Sequence, residues 1–318
     1  MATQNLPECP TLTIGIRCGA RTEEDAAHQV KSLVRPYGEG HNTKLEWLGF
    51  DAHHRLWNRK SEPLIPVRRR IISVYQRQLD ACTKALKDCV NKRKKQCLEQ
   101  KKEYVDIMRG FEVVGRPDGK SFGEDWTYIE KELIGDAEFI LISDADFLHA
   151  IPADRVNGVS LSTPQNFCAE VAYQLQGMKL FGITLSSPYL QNNVGARFEG
   201  MGMPRENKDK MFHKIGYDGY IRNLFIISKD AKGIWRPVNQ LEDRGRSLSE
   251  TANGGIVSLY TGAVIRYPPT EKMEDRHYRD PAWWKEFHYL KKAFPGCKLP
   301  NVKMKDGILK AFSPTCHG

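Results

Sequence analysis

Ser143-Asp144-Ala145-Asp146-Phe147 holds two carboxylates one residue apart. They follow the apolar run Glu138-Phe139-Ile140-Leu141-Ile142, which reads as a buried parallel strand with an abrupt polar tip. Both carboxylates are hard oxygen donors. On a strand, residues i and i+2 point the same way, so Asp144 and Asp146 can converge on one divalent cation. A diphosphate can grip the same cation, which is the logic of a nucleotide-sugar site. The plainer reading is that Asp144 caps a turn and Asp146 begins a loop. A second acidic pair, Glu242-Asp243, opens a predicted helix about a hundred residues on, and an ordinary acidic helix start is the plain reading there. The positive end of the helix dipole lowers basicity, so a base at that position needs a compensating environment.

These residues need a sheet to hold them. Thr11 to Arg17 alternates and is β-branched, which predicts a first strand. Thr22 before Glu23-Glu24-Asp25 predicts an N-cap and a helix to about Val34. Lys44 to Asp51 reads as a second strand ending in a carboxylate. Strand, helix, strand opens a parallel α/β sheet. Phe111 to Val114 is a short strand, residues 115–120 a turn-rich loop, and Phe122 to Leu133 a helix leading into the strand that ends at Ser143. Val159 to Ser162, Met178 to Leu185, Tyr220 to Ser228 and Ile256 to Tyr267 read as further strands. Asn192 to Lys210 is a long glycine-bearing loop. A helix from Leu241 to about Asn253 is stopped by Gly254-Gly255.

From Val67 to Arg109 there is neither Gly nor Pro. Ile71, Val74, Leu79, Cys82, Leu86, Cys89 and Cys97 recur at helix-compatible spacings, which predicts one long helix or a helical hairpin. Its surface is basic: Arg68-Arg69-Arg70, Lys92-Arg93-Lys94-Lys95 and Lys101-Lys102. The run is a solvated face or a phosphate-contacting patch. Past Pro268-Pro269 come Trp283, Trp284, Phe287 and Tyr289, read as a C-terminal helix with buried tryptophans rather than a stacking platform.

The 318 residues make one large domain or two ordinary ones. A formal charge of +9 with a pI near 9.0 favours a polyanionic partner. No run reaches the length of a membrane span, and Met1 to Thr11 lacks an apolar signal core, so a soluble intracellular protein is expected. The eight cysteines form no C-x-x-C pair, which speaks against a zinc knuckle, and free thiols agree with a reducing compartment.

Helix, small-residue turn at Gly135-Asp136-Ala137, apolar strand and Asp144-x-Asp146 resembles the centre of GT-A fold glycosyltransferases. The resemblance spans roughly Leu12 to Tyr267 as an order of elements. It implies an α/β fold: a GT-A-like (Rossmann-like) mixed, mainly parallel sheet flanked by helices. Here the sheet carries a long basic helical insertion at about residues 66–110, within a catalytic domain over 1–270, and residues 271–318 form a C-terminal extension. It implies Mn²⁺ or Mg²⁺ on Asp144 and Asp146, and a nucleotide-sugar donor, a UDP-sugar foremost. Glu242-Asp243 is similar to the acidic motif of inverting members, so Asp243 or Glu242 takes the acceptor proton. Asp51, Arg17 and Asp144 become the donor contacts, and Arg68 to Arg70 lie near the diphosphate. A histidine from His213, His277 and His288, with His277 preferred, completes the metal ligands. The serine usual after the second-strand carboxylate is missing; His53-His54 stand there.

Ser162 to Asn166 and Leu180 to Ile183 resemble the glycosyltransferases that accompany TET/JBP dioxygenases in phages, which implies phage or viral origin and a hydroxymethylated pyrimidine in DNA as acceptor. Two other classes compete. One is a non-catalytic nucleic-acid-binding protein working through its basic helix. The other is a metal-dependent nuclease or nucleotidyltransferase, since paired carboxylates with Mg²⁺ also serve phosphoryl transfer.

Overall fold

The computed structural model describes residues 11–35, 45, 67–99, 110–119, 121–145, 149–152, 182–186, 212–214, 224–239, 241–255, 257–266, 281–296, 302–305 and 308–311. The strands are β1 (Leu12–Arg17), β2 (Val67–Tyr75), β3 (Phe111–Arg116), β4 (Phe139–Asp144), β5 (His149–Pro152), β6 (Gly182–Ser186), β7 (Phe212–Lys214), β8 (Leu224–Ser228), β9 (Val257–Arg266), β10 (Val302–Lys305) and β11 (Ile308–Ala311). The helices are α1 (Glu23–Val34), α2 (Leu79–Glu99), α3 (Phe122–Glu132), α4 (Glu242–Ala252) and α5 (Pro281–Ala293).

Nine strands form one sheet in the order β3-β2-β1-β4-β8-β6-β9-β5, with β7 also on β9. β1 to β4, β6 and β9 run one way; β5, β7 and β8 run the other. This is the mixed, mainly parallel sheet expected. β10 and β11 form a separate hairpin. Among the described residues no helix is long and apolar enough to cross a membrane.

Local chemistry explains the helix starts. Thr22 caps α1 by accepting from the Asp25 amide at 3.1 Å, and Glu23, Glu24 and Asp25 fill the first turn. Ser121 caps α3 by accepting from the Glu124 amide at 3.3 Å, and its hydroxyl donates to the Glu124 carboxylate at 3.1 Å. α4 stops where Gly254 takes a φ of 77°, the left-handed value that favours glycine.

The core lies between α3 and the sheet. Trp126, Ile129 and Leu133 of α3 pack on Ile71, Ile140, Ile142, Phe225 and Ile227. Burying each such side chain contributes roughly 1.5–3 kcal/mol. α1 packs on α2, and α2 packs on β2 and β3. A second cluster joins Trp283, Phe287 and Leu290 of α5 to Leu241 and Leu248 around α4, with Trp283 stacked on Phe287 at 5.3 Å. Trp283 is therefore a core residue, as expected.

The first part of the predicted basic helix is corrected. Val67–Tyr75 is a strand between β1 and β3, joined by one 3₁₀ turn (Gln76–Gln78) to α2. Ile71, Ile72 and Val74 are β-branched and fully buried, which suits a central strand covered on both faces. Arg68 to Arg70 sit at the start of β2 and Tyr75 at its tip, so the arginines lie about 20 Å from the strand ends. Arg69 instead pairs with Glu112 at 2.7 Å on the surface. Leu45, inside the segment read as the second strand, is helical and buried. Arg116, read as a loop residue, ends β3 and is 1% exposed.

Candidate active site at the strand tips

Four adjacent parallel strands end in side chains that meet. Arg17, Tyr75, Arg116 and Asp144 are the last residues of β1, β2, β3 and β4. Arg17 lies opposite Asp144 in register, and Tyr75 opposite Arg116. Arg17 Nη1 donates to Asp144 Oδ1 at 3.0 Å, and its Nε donates to Asp125 Oδ2 at 3.3 Å. Its guanidinium carbon lies 4.1 Å from the Phe122 ring centroid and 5.2 Å from that of Trp126. Asp125, in the first turn of α3, is 1% exposed. Its Oδ2 also accepts from Tyr75 Oη at 2.9 Å and Arg116 Nη2 at 3.2 Å. Arg116 Nη1 reaches the carbonyls of Cys18 at 2.7 Å and Ser73 at 2.6 Å.

A second acid arrives from far along the chain. β8 runs opposite to β4, so it starts beside Ser143 and ends beside Phe139. The chain then returns along α3. The Trp235 indole N–H donates to Glu130, the Gly123 amide to the Val238 carbonyl at 3.1 Å, and the Phe122 amide to Asn239 at 3.0 Å. The close approach requires glycine: a Cβ on Gly123 would collide with the Arg236 carbonyl oxygen. This return delivers Glu242, the first residue of α4, to the strand tips. Arg246 then ties α4 to α3 through Glu130 at 3.1 Å and to Glu250 at 2.7 Å.

Charges at the tips act on one another. Burial works against the Arg17 charge, but Asp144 and Asp125 outweigh it, so Arg17 holds its proton more tightly than usual. Burial lifts the Asp144 carboxyl above its ordinary range against the pull of Arg17. Burial, then the neighbouring Asp243, and to a lesser degree Asp144, push Glu242 well above the usual carboxylate range. This is the compensating environment a base at a helix N-terminus needs. Asp243 Oδ1 accepts from the Arg244 amide at 2.6 Å.

Solved structures to which the chain is similar include three. One is "a Mycobacterial Protein" (9% identity, TM-score 0.44, 96% of this chain and 84% of that one). The second is glucosyl-3-phosphoglycerate synthase from Mycobacterium tuberculosis in complex with Mg²⁺ and UDP (8%, 0.44, 96% and 88%). The third is GalNAc-T7 with UDP, GalNAc and Mn²⁺ (8%, 0.44, 90% and 48%). No protein-family model matches the chain, and no curated protein is significantly similar to it. What the site can do follows from its own side chains.

Of the residues expected from sequence, Arg17, Asp144 and Glu242 come together, with Asp243 beside Glu242. Asp51, Asp146 and His277 lie outside the described residues. His213 is on β7. His288 is an exposed member of the α5 aromatic cluster, beside Trp284 and Phe287. Among the described residues no group of three or more His, Cys, Asp or Glu could hold a metal ion. The tip of β2 carries Tyr75, not a carboxylate. Asp125, Tyr75, Arg116 and Phe122 were not anticipated. The one signal for them is an arginine closing the strand Phe111–Arg116 and an acid one turn into the next helix.

Proposed function

We propose that this chain transfers a sugar from a nucleotide-sugar donor to an acceptor hydroxyl. One observation carries the reading: a carboxyl of raised proton affinity, Glu242, stands beside the Arg17–Asp144 pair at the tips of parallel strands. Open α/β sheets bind ligands at that edge. α1, α3 and α4 also begin there, and helix N-termini favour phosphate.

The acids fit a hard divalent cation. Asp144 is a half-buried oxygen donor whose charged form burial disfavours, and such a cation relieves that cost. Asp144, with Asp146, would hold Mn²⁺ or Mg²⁺; when bound, it neutralises the leaving diphosphate. Arg17 supplies a fixed second positive charge to the diphosphate of a donor such as a UDP-sugar. Glu242 accepts the proton of the acceptor hydroxyl as that oxygen bonds to the sugar's anomeric carbon. The electron pair of the broken carbon–oxygen bond leaves with the diphosphate. As a base in a single displacement, Glu242 serves inversion.

The acceptor included in this proposal is a hydroxymethylated pyrimidine of DNA, supported by the net charge of +9. The basic run on α2 does not add to that support, because Lys92 lies about 20 Å along the helix from its start near the tips.

The test is a panel of UDP-, GDP-, ADP- and CDP-sugars with Mn²⁺, comparing wild type with Asp144→Ala. Slow donor hydrolysis and thermal stabilisation by one donor class, both lost in the variant, are expected. Silence toward every donor, with salt-sensitive DNA binding unaffected by Asp144→Ala, points to the binding protein instead. Nucleotide release from plain DNA, abolished by Asp146→Ala, points to a nuclease.

A further inference from the structure

We infer that Asp125 is a positioning residue: it aims the Arg17 guanidinium at the diphosphate space above Asp144, an inference resting on the glycosyl-transfer reading. Arg17 is fixed in its plane by two carboxylates, Asp125 on Nε and Asp144 on Nη1, and across its plane by the rings of Phe122 and Trp126. Asp144 alone would hold one end of the fork and leave the guanidinium free to swing. Asp125 is itself immobile. Its Oδ2 takes Tyr75 Oη and Arg116 Nη2, and Arg116 is anchored on the backbone carbonyls of Cys18 and Ser73. A continuous relay thus runs from the backbone carbonyls of Cys18 and Ser73 through Arg116 and Asp125 to Arg17.

Asp125 has no access to a ligand. It is 1% exposed, and a Cβ on Gly119 would lie 2.6 Å from its Oδ1. Its effect on the donor therefore passes through Arg17.

Two readouts test this. The first needs no nucleotide. In ¹H–¹⁵N spectra the Arg17 Nε–H resonance, assigned by its absence in Arg17→Ala, exchanges slowly in wild type and loses that protection in Asp125→Asn, whose uncharged amide oxygen is a weaker acceptor shared among three donors. The second is a double-mutant cycle on UDP affinity with Mn²⁺ by calorimetry. Asp125→Asn weakens binding about tenfold with Arg17 present and by no more than about twofold in an Arg17→Ala background. Tyr75→Phe removes one donor from Asp125 without exposing a charge; it gives a smaller loss with the same dependence on Arg17, should Asp125→Asn fail to fold. A protected Nε–H in folded Asp125→Asn, or equal losses in both backgrounds, overturns the assignment. No UDP binding by wild type, with Nε–H protection lost in Asp125→Asn, overturns the donor reading and leaves the anchoring of Arg17 established.

Discussion

Glu242→Gln is expected to lower kcat by about 10²–10⁴-fold, the usual contribution of a positioned base, and to raise the melting temperature at neutral pH. Both follow from one fact: burial and the charges of Asp243 and Asp144 hold the Glu242 carboxyl well above its ordinary range. A group with a raised folded-state pKa binds more protons folded than unfolded between its two pKa values. Its stabilising contribution is full below the unfolded value and is lost as pH rises through the folded one. Glutamine makes no such loss. The two proteins should melt alike near pH 4, and the variant should gain over wild type as pH climbs from the ordinary carboxylate value to the raised one, then keep that gain. The acid limb of the wild-type rate profile should lie in the same window. Scanning calorimetry from pH 4 to 8 decides it: a variant that melts lower than wild type at pH 7 would make Glu242 a structural carboxylate and sink the base assignment.

Arg246→Ala should cost about 3–5 kcal/mol of stability, because it removes the counter-charge from buried Glu250 and part-buried Glu130. Arg246 is 3% exposed, and it serves Glu130 with two nitrogens, at 3.1 and 3.2 Å, and Glu250 with a third at 2.7 Å. The loss should reach function, since this pairing sets how far along α3 the start of α4 stands, and so where Glu242 lies. Urea unfolding measures the first effect and kcat the second. A triple variant, Arg246→Met with Glu130→Gln and Glu250→Gln, removes all three charges together and should recover most of the stability. Failure of that recovery would mean the network contributes packing rather than charge balance.

Much of this was legible locally. Thr22 before three acids marked the start of α1, and the apolar run before Asp144 predicted β4. Gly254 marked the end of α4. β2 was misread because Val67–Tyr75 satisfies two periods at once: Ile71 and Val74 are three apart, as on a helix, and no glycine or proline separates strand from α2. That error moved three arginines toward the donor. Asp125 was invisible for another reason. An acid in the first turn of a helix is the commonest dipole partner, and only the meeting of β1, β2 and β3 at its side gives it three cationic or hydroxyl donors.

The stretch from Lys229 to Asn239 is neither helix nor strand, yet several of its amides are held from outside it. Glu250 takes those of Lys232 and Gly233, Ser249 that of Ile234, and Glu286 that of Asn239. Deuterium uptake and limited proteolysis should therefore report this irregular segment as slowly as the helices beside it, opening only when α4 itself lets go. What looks on paper like a tether behaves as a splint.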